Sequence, residues 1–165
     1  MDNFKVSNIE SWIKLSDKIT NKVYKQYIRL FCEATGLEFR YLMFPFDLDF
    51  YKKRRELKKH IDRKVPGYVV SYGLIPLSEE NEYLICYTIC SPSDQFSKVE
   101  AKAIIIERLM TYSDKYKKIM RVQSGDKTLK IARNILIESL AYGSVQCPTK
   151  FRRLLQTYNN EGLLS

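Results

Sequence analysis

Two strand-like segments in the middle of the chain constrain its fold most strongly. They run from Tyr68 to Ile75 and from Glu82 to Cys90, and the turn-forming stretch PLSEEN, from Pro76 to Asn81, separates them. This arrangement predicts a β-hairpin. The second segment has Tyr and Ile on one face and mainly Leu and Cys on the other, so both of its faces are apolar. We therefore expect it to be a central strand of a sheet.

Apolar residues at helical spacing lie on both sides of this hairpin in the chain. They predict a capped helix from Ser7 to Leu15, a helix from Asp17 to Gly36, and helices at about 98–112, 128–142 and 148–158. Segments 37–46 and 117–122 have the composition of further strands. With 45% hydrophobic and 28% charged residues, the chain has the composition of a globular domain. The predicted fold class is α+β: a single globular domain, residues 1–165, with a small antiparallel sheet (hairpin 68–90) covered on one face by four to six helices.

The most highly charged part of the chain is the segment 51–64, YKKRRELKKHIDRK. Eight of its fourteen residues are Lys or Arg and two are acidic, so it holds +6 of the formal net charge of +9. We expect it to form a helix that starts at Asp47 or Asp49, has a narrow apolar seam of Phe50, Leu57 and Ile61, and ends before Pro66-Gly67. Such a concentration of positive charge is typical of a surface that binds an anionic partner, and nucleic acid is the first candidate.

Segment 91–109 combines a rigid turn with a well-marked helix start. It begins Ser-Pro-Ser-Asp-Gln-Phe-Ser, and Ser97 and Glu100 have the spacing of a capping box. The segment resembles a pattern found in small, mostly uncharacterised proteins of bacteriophages and related mobile elements, SPxDxFSKxxGRxIAxxRL. Ala101 and Ile105 depart from that pattern. The resemblance implies an origin in such an element more than an activity, and the segment is otherwise interpreted as a local folding motif. The matching residues are Ser91, Pro92, Asp94, Phe96, Ser97, Lys98, Ile104, Arg108 and Leu109, with Lys102 in place of Arg.

Few residues suit catalysis or metal binding. His60 is the only histidine, and the four cysteines have no CxxC spacing. Buried free thiols are the simplest interpretation of these cysteines. Asp47 and Asp49 could hold a divalent cation, as a nuclease requires, or could cap a helix. No window is apolar enough for a membrane span, so we expect a protein of the cytoplasm.

The hairpin tyrosines offer two interpretations. Tyr68 and Tyr72 share one face of the first strand, and Tyr83 and Tyr87 share one face of the second. If Ile75 pairs with Glu82, the four rings lie on the same face, and a shift of one residue separates them. An exposed face of this kind would form a platform on which single-stranded bases stack, whereas a buried one would belong to the core.

These observations predict a non-enzymatic nucleic-acid-binding or regulatory protein, encoded by a phage and present in the host cytoplasm, whose basic helix contacts the backbone of DNA or RNA. The alternative is a phage inhibitor that binds an acidic surface of a host protein, and a third hypothesis is a metal-dependent nuclease. We expect no catalytic residue, metal, cofactor or membrane partner. The predicted nucleic-acid-binding residues are Lys52, Lys53, Arg55, Lys58, Lys59, Arg63 and Lys64, with Arg152 and Arg153 as a second patch and Tyr72 and Tyr87 as stacking residues.

Overall fold

The computed structural model describes residues 17–57, 66–111, 114–122, 128–143 and 145–164, with the side chains of 17–21 and 54–57 outside the description. The predicted helix at 7–15 and residues 58–64 of the predicted basic helix, including His60, therefore lie outside the described residues. The described part has five helices and four strands, in the order α1 Asp17–Thr35, β1 Glu38–Pro45, α2 Leu48–Leu57, β2 Gly67–Pro76, β3 Glu82–Cys90, α3 Lys98–Met110, β4 Lys117–Arg121, α4 Thr128–Tyr142 and α5 Thr149–Asn160.

The four strands form one antiparallel sheet whose spatial order, β1-β2-β3-β4, follows the chain. This confirms the α+β class and the predicted hairpin. Ile75 pairs with Leu84, which is offset by two residues from a pairing of Ile75 with Glu82. Because side chains alternate between faces with a period of two, an offset of two leaves the four hairpin tyrosines on one face.

Helices cover both faces of the sheet, so the expectation of a single covered face is wrong. On one face α1 and α3 pack together, with Tyr24 and Ile106 in their shared core. On the other face α4 and α5 pack against Val70 and Ile85 of the sheet. The physical reason lies in β2, where all eight residues from Gly67 to Leu74 are buried. A strand that is apolar on both faces is stable only when both faces are removed from water.

Two glycines allow the layers on the α1 and α3 side to approach closely. Gly36 has a φ of +77° and ends α1 in the left-handed conformation that glycine adopts most easily. At Gly73 in β2, a Cβ atom would lie 2.8 Å from Leu37 Cδ1 and 3.0 Å from Ile105 Cγ2. The bare backbone at Gly73 therefore lets α3 pack directly against the middle of the sheet.

An aromatic cluster fills the core on the other face. The ring of Phe44 lies 6.0 Å from that of Tyr51 and 5.7 Å from those of Phe151 and Tyr158. The Tyr158 hydroxyl donates a hydrogen bond to the carbonyl of Pro45. The cluster joins the end of β1 to α2 and α5, and it confirms the helix predicted at about 148–158, whose buried face includes Phe151 and Tyr158.

All four cysteines are free, but only Cys86 is fully buried, and Cys32, Cys90 and Cys147 are half-buried. Burial raises the pKa of the Cys86 thiol to about 12, because a thiolate in an apolar core has no water to stabilise it. The prediction of buried thiols is therefore confirmed in full only for Cys86. Within the described ranges, none of the helices combines the length and apolar character that a membrane crossing requires.

Candidate nucleic-acid interface

Helix α2 begins directly after β1 because Asp47 caps it. The Asp47 carboxylate oxygen Oδ1 accepts hydrogen bonds from the backbone amides of Asp49, at 2.9 Å, and Phe50, at 3.3 Å. These amides belong to the first turn, where a helix leaves its N–H groups without intrahelical partners. The capping interpretation of Asp47 is confirmed, and the cap fixes the direction in which α2 leaves the sheet.

Tyr51 anchors α2 to the core. Its ring stacks on Phe44 with an angle of 14° between the planes, and it lies 4.8 Å from the ring of Tyr158. The predicted apolar seam included Phe50 and not Tyr51, but Phe50 is only half-buried. Because Tyr51 faces inward, the next two residues, Lys52 and Lys53, are exposed to solvent.

The structure describes only part of the predicted basic segment. Lys52 and Lys53 are exposed, as a phosphate-binding role requires, and Arg55 belongs to α2 without a described side chain. Four further predicted residues lie outside the described residues: Lys58, Lys59, Arg63 and Lys64. The described helix nevertheless has an uninterrupted run of four cations, from Lys52 to Arg55.

Two arginines from other elements lie near Tyr72, and one of them contacts α2. Arg133 of α4 donates from Nη2 to the Tyr51 hydroxyl across 3.2 Å. Arg40 of β1 is opposite Tyr72 of β2 in the sheet register. Burial raises the pKa of the Tyr72 hydroxyl, and the charges of Arg133 and Arg40 partly counter that rise. Arg40 of β1 and Arg133 of α4 therefore lie on the face of the sheet that carries Tyr72, and Arg133 also contacts α2 through Tyr51.

We call this region the basic surface. Lys130 is exposed and lies one helical turn before Arg133 on α4, where the two side chains are neighbours. Among the described ion pairs, one involves the basic surface, between Arg40 and Glu38 at 3.5 Å, and such an exposed pair is weak. The acidic groups Asp47 and Asp49 lie at the start of α2. The basic surface consists of Arg40, Lys52, Lys53, Lys130 and Arg133.

Sequence reasoning missed Arg40, Lys130 and Arg133 because they are distant in the chain from the segment 51–64. A usable signal exists for one of them. Arg40 is the only cation in the apolar segment 37–46, and it stands out there as a charged residue on a largely apolar strand. Lys130 and Arg133 have no comparable local signal, since cations are ordinary on the surface of a helix.

The predicted second patch divides into one structural and one exposed arginine. Arg152 donates from Nη1 to the carbonyl of Gly143, at 3.0 Å, and from Nη2 to that of Val145, at 2.9 Å. These carbonyls lie at and just beyond the end of α4, so Arg152 ties α5 to the end of α4. Arg153 is exposed, and among the described contacts its side chain makes no hydrogen bond that joins two helices.

The stacking residues predicted on the hairpin are in the core. Tyr72 is 3% exposed and Tyr87 is 1% exposed. The Tyr87 hydroxyl donates to the carbonyl of Gln146, and its ring meets that of Tyr116 edge-on at 5.8 Å. The proposed base-stacking role of these two rings is wrong, because α4 and α5 cover the face that carries them.

Segment 91–109 has a clear structural role. Ser97 caps α3 by accepting a hydrogen bond from the Glu100 amide at 3.3 Å, which confirms the predicted cap. Arg108 donates from Nη1 to the carbonyl of Tyr87 at 2.7 Å. Its guanidinium lies 3.5 Å from the centre of the Tyr116 ring, and burial lowers its pKa. The segment therefore caps α3 at its start through Ser97 and joins its other end to β3 through Arg108.

In the part of the chain that the structure describes, no three His, Cys, Asp or Glu side chains come together as a metal site would require. Comparison with known proteins found no matching family model, no matching curated protein and no matching solved structure.

Proposed function

We propose that the protein is a non-enzymatic nucleic-acid-binding or regulatory protein that contacts the phosphate backbone of DNA or RNA through α2 and the basic surface. The phage origin implied by the sequence resemblance is part of this proposal. The observation that carries it is the contact of Arg133 from α4 with Tyr51 of α2, the residue that precedes the exposed Lys52 and Lys53.

Several features of the basic surface favour phosphate as its partner. Its cations come from a strand and two helices that pack on one aromatic core, which fixes the backbones of these elements relative to one another. Arg133 is anchored by Tyr51, and an arginine held in this way presents its remaining N–H groups in a planar fork that suits phosphate oxygens. With Tyr72 and Tyr87 buried, the proposed contacts are electrostatic and involve no stacking from the hairpin.

The salt dependence of binding tests the proposal. If the basic segment 51–64 makes about four phosphate contacts, the logarithm of the affinity should fall with the logarithm of salt concentration at a slope of about −3 to −4. The double variant Lys52→Ala with Lys53→Ala should reduce the magnitude of that slope by about 1.4 to 1.8, since each lost contact contributes about 0.7 to 0.9. Fluorescence anisotropy with labelled single-stranded and double-stranded oligonucleotides measures it.

A matched control is available on α1. Lys22 and Lys25 are exposed on a helix that covers the other face of the sheet. The double variant Lys22→Ala with Lys25→Ala removes the same charge and should leave the slope nearly unchanged. Equal effects of the two double variants would show that only the net charge matters, and an unchanged affinity in a folded Lys52→Ala, Lys53→Ala protein would refute the role of α2.

The alternative partner, an acidic surface of a host protein, is tested by the same variants in a pull-down from lysate with and without nuclease treatment. Under the proposed function, the material captured by the wild-type protein is lost after nuclease treatment. Capture of one protein that survives nuclease treatment, and that depends on Lys52 and Lys53, would favour the inhibitor instead.

A further inference from the structure

The outer edge of β4, the last strand of the sheet, presents backbone groups that have no partner among the described residues. Directly after β4, the amide of Val122 donates a hydrogen bond to the carbonyl of Asn81 at 2.9 Å, and directly before it the carbonyl of Tyr116 accepts one from β3 at 3.2 Å. Hydrogen bonds alternate in direction along an antiparallel strand, so the even-numbered residues of β4 bond to β3. The N–H and C=O groups of Ile119 and Arg121 therefore point away from the sheet.

This edge is closed at its start and open along the rest of β4. The carbonyl of Lys115 accepts a hydrogen bond from the amide of Gln146 at 3.0 Å, and the amide of Lys117 donates one to the carbonyl of Asp114 at 3.3 Å. Beyond these two bonds, from the carbonyl of Lys117 to Arg121, the outward backbone groups have no partner in the described part of the chain. The open stretch is therefore long enough for a short added strand.

An apolar row of side chains runs across the sheet and ends at this edge. Ile75 of β2 pairs with Leu84 of β3, and Leu84 pairs with Ile119 of β4, so the three side chains lie next to one another on one face. Ile75 and Leu84 are half-buried, whereas Ile119 is 60% exposed. An apolar side chain on a strand added to β4 would cover Ile119 and lengthen this row.

Positive charge lies on both sides of Ile119 along the strand. Lys117 and Arg121 are two residues before and after it, so their side chains share its face. Arg121 donates from Nε to a Glu82 carboxylate oxygen at 3.0 Å, but its side chain remains 83% exposed. The Lys117 ammonium donates to the carbonyl of Thr111 and keeps its charge. A strand with acidic residues two positions before and after an apolar one therefore matches this edge in both charge and apolarity.

We propose that the outer edge of β4 binds an extended, acidic segment of a partner protein, which pairs with β4 as a further antiparallel strand. An apolar residue of the segment lies opposite Ile119, and Asp or Glu residues lie opposite Lys117 and Arg121. Nucleic acid matches this edge less well, because phosphate oxygens accept hydrogen bonds but offer no N–H to the outward carbonyls. The edge is separate from the basic surface, which includes Arg40 on β1 at the other edge of the sheet.

A short peptide with both ends capped, Ser-Glu-Thr-Val-Thr-Glu-Ser, tests this pairing and is called the Glu peptide. Its Val would lie opposite Ile119, and its Glu residues would lie opposite Lys117 and Arg121. In a backbone amide NMR titration, the Ile119 and Arg121 amides should shift downfield and saturate, at a dissociation constant on the order of millimolar for a ligand of this size. Their hydrogen exchange should slow as they gain hydrogen bonds. The amide of Met120, which points toward β3, should shift less.

N-methylation of the Glu peptide tests the backbone contacts without any change to the protein. In the proposed pairing the Val N–H points toward β4, whereas the N–H of the following Thr points away. A methyl group on the Val nitrogen should weaken binding about tenfold or more, because it removes a hydrogen bond and blocks the close approach of the two strands. A methyl group on that Thr nitrogen should change the affinity by less than about threefold.

The charge contacts are tested with a Gln peptide, in which Gln replaces both Glu residues. Each exposed ion pair contributes about two- to threefold in affinity, so the Gln peptide should bind about four- to ninefold more weakly. Arg121→Gln should weaken the Glu peptide about two- to threefold and leave the Gln peptide nearly unchanged. Lys25→Gln removes the same charge from an exposed position on α1 and should change neither affinity. The Lys52→Ala, Lys53→Ala protein should bind the Glu peptide as the wild-type protein does, which separates this edge from the basic surface.

The proposal is overturned if the Ile119 and Arg121 amides show no saturable shift with the Glu peptide, or if the two N-methyl groups weaken binding equally. It is also overturned if Arg121→Gln has the same effect on the Glu and Gln peptides. Saturable shifts of the same amides with an oligonucleotide would assign the edge to nucleic acid instead. Shifts of these amides when the protein alone is concentrated would assign it to a second copy of the chain.

Discussion

Removing the Ser71 hydroxyl should make the protein more stable. A buried polar group without a partner costs about 1 to 3 kcal/mol, since it has lost its bonds to water and gained none in return. Ser71→Ala deletes that group, and the weaker preference of alanine for strands offsets a few tenths of a kcal/mol of the gain. We expect a net gain of about 1 kcal/mol in the free energy of unfolding, or a rise of about 2 to 4 °C in the melting temperature of a chain of this size.

Urea unfolding followed by far-ultraviolet circular dichroism measures this gain, with the slope against urea expected to stay constant. The same substitution at Ser97 serves as the control, because the Ser97 hydroxyl accepts a hydrogen bond from the Glu100 amide. Ser97→Ala should lower the stability by about 0.5 to 2 kcal/mol. One chemical change thus has opposite effects at two sites. A loss of about 1 kcal/mol or more in Ser71→Ala would refute the reasoning, because it would mean that the hydroxyl has a partner.

Three further predictions concern stability and are checked by urea unfolding. Tyr158→Phe removes the donor to the buried Pro45 carbonyl and should cost about 1 to 3 kcal/mol. Cys86 has a raised pKa in the folded state, so its contribution is fully present below the ordinary thiol value of 9 and is lost as the pH rises toward about 12. Cys86→Val should therefore reduce the alkaline loss of stability, by up to about 1.4 kcal/mol per pH unit. Arg152→Lys cannot bond both carbonyls at the end of α4 and should cost about 1 to 3 kcal/mol, whereas Arg153→Lys should change the stability by less than about 0.5 kcal/mol.

The elements that sequence predicted correctly are those with strong local patterns. The hairpin, the cap at Ser97 and the helix α5 each depend on residues within a few positions of one another. The sequence did not indicate that both faces of the sheet are covered, although neither face of β2 carries a charged residue. The sequence places Ser71 and Gly73 on the second face, and their small side chains weaken the apolar signal there.

The candidate interface was only partly predictable, for a physical reason. The exposure of Lys52 and Lys53 follows from the local charge run, but the position of Arg133 depends on the packing of α4 against α2. The burial of Tyr72 and Tyr87 likewise depends on where α4 and α5 lie. Such contacts join residues that are tens of positions apart in the chain. The pattern of residues within one segment therefore cannot indicate them.

The short strand β4 leaves one edge of the sheet unpaired in the described structure, and this edge has its own protection against self-association. Ile119 on β4 is 60% exposed, which on a long, flat edge would invite pairing with a second molecule. The strand is only five residues long, and three of them are Lys117, Lys118 and Arg121. Two copies that approached edge to edge would bring these like charges together. The excess positive charge of the chain therefore also discourages growth of the sheet into an intermolecular aggregate.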